Sequence, residues 1–301
     1  NEQRARNLAE KYGFANVYTS IADMMADSEL EAVSVCTWNN THADLAVQAL
    51  NAGKHVLVEK PLSTTVEEAL RVQEAVRRTG KLVQVGFVRR YASNTQMLKQ
   101  FIDNGDFGDI YYAKASCLRR LGNPGGWFAD KSRSGGGPLI DLGVHMIDVC
   151  WYLMGRPKVK SISGNTYNRL GNRANVKHLN FYKAADYDAS KNTVEDLANA
   201  IVRFENGASL MVDVSFTLHA KQNEVSAKLY GTKGGCEIEP ELAIVTEKYD
   251  TILNVTPQVN SLGLNVKEAF QNQIDHFVDC CLTGKTPISP VDDGVEMMKI
   301  L

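Results

Sequence analysis

The chain has 301 residues, 44% hydrophobic and 23% charged, with a formal net charge of -2 and a pI near 6.4. That balance gives no electrostatic case for nucleic acid or a membrane surface as partner, and no apolar run approaches the roughly 20 residues of a spanning helix. The six cysteines are scattered, apart from the neighbours Cys280 and Cys281, and form no CxxC pair, which fits a reducing, cytoplasmic setting.

At roughly 100–200 residues per domain, two domains are expected. Residues 1–11 (NEQRARNLAEK) read as a helix closed by Gly13. A chain that opens inside a helix carries the expectation that strands precede it. Residues 32–36 form a short buried strand, 41–51 a helix ended near Gly53, and 55–58 the next strand. Residues 64–79 place Val66, Ala69, Leu70 and Val76 near helical spacing before Gly80, and 82–85 return to strand. Strands alternating with helices of this length imply parallel βαβ units, hence a doubly wound sheet. This first domain is expected to span residues 1–117.

From residue 118 to 301 the pattern changes. A helix over 138–154 is followed by strands at 159–167 and 194–204. Glu205-Asn206-Gly207 then joins 200–204 to 208–216, a hairpin signal. Strands at 225–230 and 243–246 continue the series. Strands without intervening helices predict an open, mostly antiparallel sheet in an α+β domain. Helices over 266–282 and onward from 291 close the chain, the last one a candidate to return to the first domain. Residues 122–137 and 169–192 are long irregular stretches, a common location for function.

Two segments carry chemistry. Glu59-Lys60-Pro61 ends the apolar run of residues 55–58, at the carboxyl end of a parallel strand, where open sheets bind their ligands. Pro61 holds residue 60 extended, so the Lys60 ammonium points into that crevice. The second segment runs from Gly135-Gly136-Gly137-Pro138 into a helix on which Asp141, His145, Asp148 and Tyr152 share one stripe. The rest of that helix is apolar, so the stripe is expected to be enclosed. Gly143 in its interior predicts close approach of another group. Arg89, Arg90 and Tyr91 follow another strand and are placed to face the same pocket. The loop carrying Arg119, Arg120, Trp127, Phe128, Lys131 and Arg133 brings an aromatic pair and several cations, suited to a sugar ring with its hydroxyls or a carboxylate.

These residues resemble the Gfo/Idh/MocA oxidoreductase family: Thr37, Asn40, His42, Ala49, Ala52-Gly53-Lys54-His55-Val56 and Glu59-Lys60-Pro61-Leu62, then Gly135-Gly136-Gly137, Asp141, Gly143, His145 and Asp148. The resemblance extends to Gln273-Ile274-Asp275-His276-Phe277 and implies a Rossmann domain followed by an α/β domain with an open sheet. It implies NAD or NADP as cofactor, with Thr37, Trp38, Asn40, His42, Glu59 and Lys60 on the cofactor side. It makes Lys60, Asp141 and His145 catalytic, while the placement of the residues themselves puts Arg89, Trp127, Asp148 and His145 on the substrate side, with no metal expected. Asp148 is left between a substrate-hydroxyl ligand and a helix-to-loop tether. Two departures stand out. No G-x-G-x-x-G occurs in the chain, and Trp38 stands where the family often has Pro, either flanking the dinucleotide or packing.

The implied reaction is hydride transfer between nicotinamide and a secondary hydroxyl of a sugar, glycoside, sugar acid or inositol. In it Lys60 stabilises the alkoxide, His145 takes the proton, and Asp141 orients the imidazole. The rivals are an NAD-dependent glycosidase without net redox and a non-catalytic dinucleotide or sugar sensor. An antiparallel sheet needs cover on its faces, which predicts a homodimer or homotetramer.

Overall fold

The computed structural model describes residues 1–181, 183–186, 188–259 and 261–301. Helix α1 (Glu2–Tyr12) begins where the Asn1 side chain accepts from the Arg4 N–H and ends at Gly13, in the left-handed conformation. A short helix α2 (Ile21–Ala26), capped by Ser20, occupies a segment with no helical reading in the sequence.

Three strands and two helices then alternate: β1 (Ala32–Val35), α3 (His42–Asn51), β2 (His55–Glu59), α4 (Val66–Thr79) and β3 (Val83–Gly86). The strands are parallel in the order β1-β2-β3, with Val35 opposite Val58 and Val58 opposite Val85. Val56, Val58, Val83 and Val85 are buried, as β-branched residues in a helix-covered parallel sheet should be. Ala43, Ala46 and Ala49 of α3 and Ala69 and Ala75 of α4 are also buried, and such small side chains let the two helices pack together. A reciprocal capping box between Thr65 and Glu68 fixes the start of α4. Because the strands are parallel, their carboxyl ends deliver residues 36–41, 59–61 and 87–91 to one edge.

Next come α5 (Ser93–Asp103), β4 (Ile110–Leu118), α6 (Lys131–Ser134) and α7 (Val144–Leu153). They are followed by β5 (Val159–Tyr167), β6 (Leu197–Phe204), β7 (Ser209–Ser215), β8 (Glu224–Gly231), β9 (Gly234–Glu239), β10 (Ala243–Lys248) and β11 (Thr251–Val255). These strands form an eight-stranded sheet in the order β11-β10-β9-β8-β4-β7-β6-β5. All neighbours are antiparallel except β4 and β7, which run parallel. The Asn206-Gly207 turn joins β6 to β7 with Gly207 at φ 87°. One face of this sheet, through Ala113, Ala115, Leu210, Val212, Ala227 and Leu229, is buried and packs on α7.

The final helices are α8 (Val266–Thr283) and α9 (Val291–Ile300), and α9 packs on α4 and β3 of the first sheet.

Three expectations need correction. Residues 110–118 do not close the first domain: β4 sits in the middle of the large sheet, bonded to β7 and β8. The helix expected over 138–154 runs unbroken from 138 to 153 but is not regular throughout, because Leu139–Gly143 form a wider helical turn in which the Val144 N–H reaches the Leu139 carbonyl five residues back. At Gly143 the atoms nearest to an added β-carbon belong to its own helix, Leu139 Cδ1 at 3.2 Å first, and not to a separate group.

Candidate active site

The two chemical segments meet. Lys60 leaves the end of β2 and its Nζ donates to both the backbone carbonyl and Oδ1 of Asp141, each at 2.9 Å. The two side chains are 14% and 13% exposed, shielded enough that the pair keeps its strength but still open to a ligand. The wide turn at 139–143 explains the double contact, since it departs from the regular helical bonding ladder at the residue whose carbonyl Lys60 reaches. Such turns recur at functional sites.

Glu195 supports this turn from the other side, accepting from the Gly137 N–H at 2.8 Å and the Leu139 N–H at 3.3 Å. Gly137 is required there: a β-carbon would lie 2.3 Å from the Glu195 carbonyl oxygen.

Every residue of α7 is buried except His145, which is half-buried. Burial, then the positive charges of Lys60, Arg89 and Arg119, hold its imidazole well below the usual histidine range. It is therefore neutral near pH 7, the form that accepts a proton. Arg89, beyond β3, pairs with Glu239 at the end of β9, and so brings a cation from the first sheet and a carboxylate from the second to the His145 neighbourhood. Arg119 follows β4 directly, and its Nη1 donates to the Gly122 carbonyl at 2.9 Å.

Other expected site residues are placed differently. Asp141 holds Lys60 and makes no hydrogen bond to His145 among the described residues. Asp148 does not reach the cleft: its side chain is 1% exposed and both oxygens accept from Arg90, so the tether reading replaces the substrate-ligand one. Burial pushes the Asp148 carboxyl up to about 6, against the pull of Arg90. Arg90 also pairs with Asp293 of α9, which Arg156 contacts at 2.8 Å. Arg90 and Tyr91 are thus buried structural groups rather than pocket walls.

His42 is 1% exposed, too deep to touch a cofactor; its Nδ1 lies 2.7 Å from the Pro61 carbonyl and its Nε2 3.2 Å from that of Thr37. Burial and the Lys60 charge lower its pKa, so one ring nitrogen donates, and the ring ties the β1 edge to the Glu59-Lys60-Pro61 turn. Gly86 leaves room for the Glu59 side chain, whose Oε2 would lie 3.1 Å from a β-carbon there. Trp127 stacks on Phe128 with ring centroids 4.0 Å apart. Asn39, Glu195 and Glu239 escaped the sequence reading, and the contacts of each are with residues distant in the chain.

The edge formed by β1 and β2 has the features a nicotinamide nucleotide needs at one end: the exposed Thr37 and Asn40 side chains and a Trp38 ring that is 44% exposed, with Lys60 alongside. These residues fit the nicotinamide half of a dinucleotide. Among the described residues, no group of three His, Cys, Asp or Glu side chains is arranged to hold a metal ion. Among the described residues, no helix is long and apolar enough to cross a membrane.

Comparison with known proteins bears on the fold and the family. Residues 1–87 match the model of an oxidoreductase family with an NAD-binding Rossmann fold, and residues 95–237 match the GFO/IDH/MocA C-terminal domain. D-glucoside 3-dehydrogenase of Escherichia coli is 36% identical over 239 residues, covering 79% of this chain and 67% of that protein. The scyllo-inositol 2-dehydrogenase (NAD(+)) of Bacillus subtilis is 29% identical over 289 residues, 95% of this chain and 77% of that protein. An oxidoreductase domain protein from Kribbella flavida superposes with a TM-score of 0.84 at 24% identity, over 99% of this chain and 83% of that one, which establishes the shared fold. The parallel sheet that presents Lys60, and the mixed sheet whose helix presents His145, are the two halves of that architecture, and the chain belongs to the Gfo/Idh/MocA oxidoreductase family.

Proposed function

We propose that the protein is an NAD(P)-dependent dehydrogenase of a secondary hydroxyl on a sugar, glycoside, sugar acid or inositol. The observation that carries this reading is the meeting of the Lys60–Asp141 pair with a neutral, half-buried His145 at the carboxyl edge of a parallel sheet. Nicotinamide, when bound, supplies the hydride acceptor. An ammonium has three N–H donors; Asp141 takes two from Lys60, and the third is available to the substrate oxygen, whose developing negative charge it stabilises. An unprotonated ring nitrogen of His145 accepts the hydroxyl proton. Asp141 is the positioning group for Lys60. The relative from Bacillus subtilis is named for NAD(+) and an inositol, and that from Escherichia coli for a glucoside, which favours NAD and a cyclic polyol or glycoside here.

The test is a titration of the full-length protein with NAD, NADH, NADP and NADPH, followed by a polyol and glycoside screen read at 340 nm. Saturable binding of one pair with stoichiometric NADH production supports the reading. Free sugar released without NADH would favour a glycosidase, and no binding would remove hydride transfer. We also propose a cytoplasmic location and an assembly of two or four copies. The face of the large sheet opposite α7, which includes Lys114, Asp213 and the 2.7 Å Lys228–Glu237 pair, is the surface a second copy would cover. A monomer in sedimentation analysis would refute that assembly.

A further inference from the structure

Residues 130–137 form a strap between the two halves of the molecule. On the substrate side the strap is pinned by the Lys131 N–H to Thr193 Oγ1 at 2.8 Å and by the Gly137 N–H to Glu195 at 2.8 Å. On the other side it rests on the loop between β1 and α3, at three consecutive residues. Asn39 Nδ2 donates to the Ser134 carbonyl at 2.7 Å, and Asn40 Nδ2 to the Ser132 carbonyl at 3.0 Å. Between those two bonds the Arg133 guanidinium lies over the Trp38 ring, 4.4 Å from its centroid. The strap leads directly into the wide turn that carries Asp141, so its seating sets where the Lys60–Asp141 pair stands.

The three contacts differ in kind. Asn39 is buried, and its bond is shielded from water. The Trp38–Arg133 stack is at the surface, with Arg133 46% exposed and its Asp130 neighbour no closer than 3.4 Å. A guanidinium over an indole face is a favourable pairing that can form and break without leaving a buried charge behind. Arg133 lies over the ring, and Trp38 as a whole is still 44% exposed, which leaves it surface for a ligand.

We propose that the Trp38–Arg133 stack is a latch, through which the seated strap and a nicotinamide nucleotide beside Trp38 stabilise each other. Arg133 is a positioning residue in this scheme: it orders the ring from the strap side while the nucleotide orders it from the other. The effect is reciprocal, because any gain in nucleotide affinity from a seated strap equals the gain in strap seating from bound nucleotide. The nucleotide half of this inference rests on the dehydrogenase reading above; the latch itself does not.

The experiment uses full-length protein, wild type and the variants Arg133→Gln, Arg133→Lys, Trp38→Leu and the double variant Arg133→Gln/Trp38→Leu. Trypsin cleavage after Lys131 reports strap opening, and an NADH titration reports affinity. An exposed cation–π contact predicts cleavage about two- to fivefold faster in Arg133→Gln and in Trp38→Leu, with the double variant no faster than either. Arg133→Lys should fall between wild type and Arg133→Gln. NADH should bind more weakly by a similar factor in both single variants and protect their Lys131 site less. Equal cleavage rates in wild type and Arg133→Gln, or additive effects in the double variant, would overturn the latch. Should wild type bind no NADH, the cofactor reading and the coupling fall together, while the cleavage rates still decide the latch.

Discussion

Two aspartates seven residues apart show how placement divides one residue type into two roles. Asp141 lies in the wide turn at 139–143, keeps 13% of its side chain exposed, and holds Lys60 with one oxygen and its carbonyl. Asp148 lies in the regular helix α7, is 1% exposed, and gives both oxygens to Arg90. The first pair has an ammonium donor left for a substrate. The second is spent within the protein and joins the segment after β3 to α7, with α9 added through Asp293. Charge on a helix stripe is thus left partly open in a cleft or spent inside the protein according to what the tertiary fold puts opposite it.

The largest effect that tests this contrast is on stability. Arg90→Met leaves two buried carboxylates without their shared partner and should cost about 3–5 kcal/mol in chemical denaturation. That loss should shrink as the pH is lowered through about 6, because protonation neutralises the Asp148 carboxylate. A variant as stable as wild type would refute the structural assignment. Next are the catalytic variants. Lys60→Met and His145→Ala should each lower turnover by about 10²-fold or more, with melting temperatures close to wild type. Near-normal turnover in either would remove that residue from the chemistry.

Gly137→Ala should act on both properties at once, since its new methyl would press on the Glu195 carbonyl at 2.3 Å. A stability cost of about 1–3 kcal/mol and a partial loss of turnover are expected, read by thermal melts and steady-state rates. The smallest effect is a shift in pH dependence. Burial and three cations depress the His145 pKa, so alcohol oxidation should fail only below the usual histidine range. Removing one cation in Arg89→Gln raises that pKa and should move the acid limb of kcat/KM upward. An acid limb that stays fixed would show that Arg89 does not act on His145.

The alternating helix–strand pattern, the Asn206-Gly207 hairpin and the caps at Gly13 and Gly80 were legible because each depends on neighbours in the chain. Strands β9 and β11 were not. β9 opens with Gly234-Gly235, residues of low strand propensity, and takes its conformation from pairing with β8 and β10. The residues of β4 were not read as a strand, and the boundary at 117 put them in the first domain because no local pattern declares which sheet a segment will join.

For the site, the sequence by itself placed the two groups proposed to react: a lysine fixed after a strand by Pro61, and a histidine on an otherwise apolar helix. Local geometry is enough for that, since strand ends and helix periodicity fix where such side chains emerge. Only the tertiary structure decided their partners. It turned Asp141 toward Lys60 instead of His145, withdrew Asp148 and His42 into the interior, and brought Glu195, Asn39 and Glu239 into supporting positions. The physical reason is that hydrogen bonds and ion pairs between residues tens to hundreds apart in sequence depend on how two sheets pack, which no local pattern encodes.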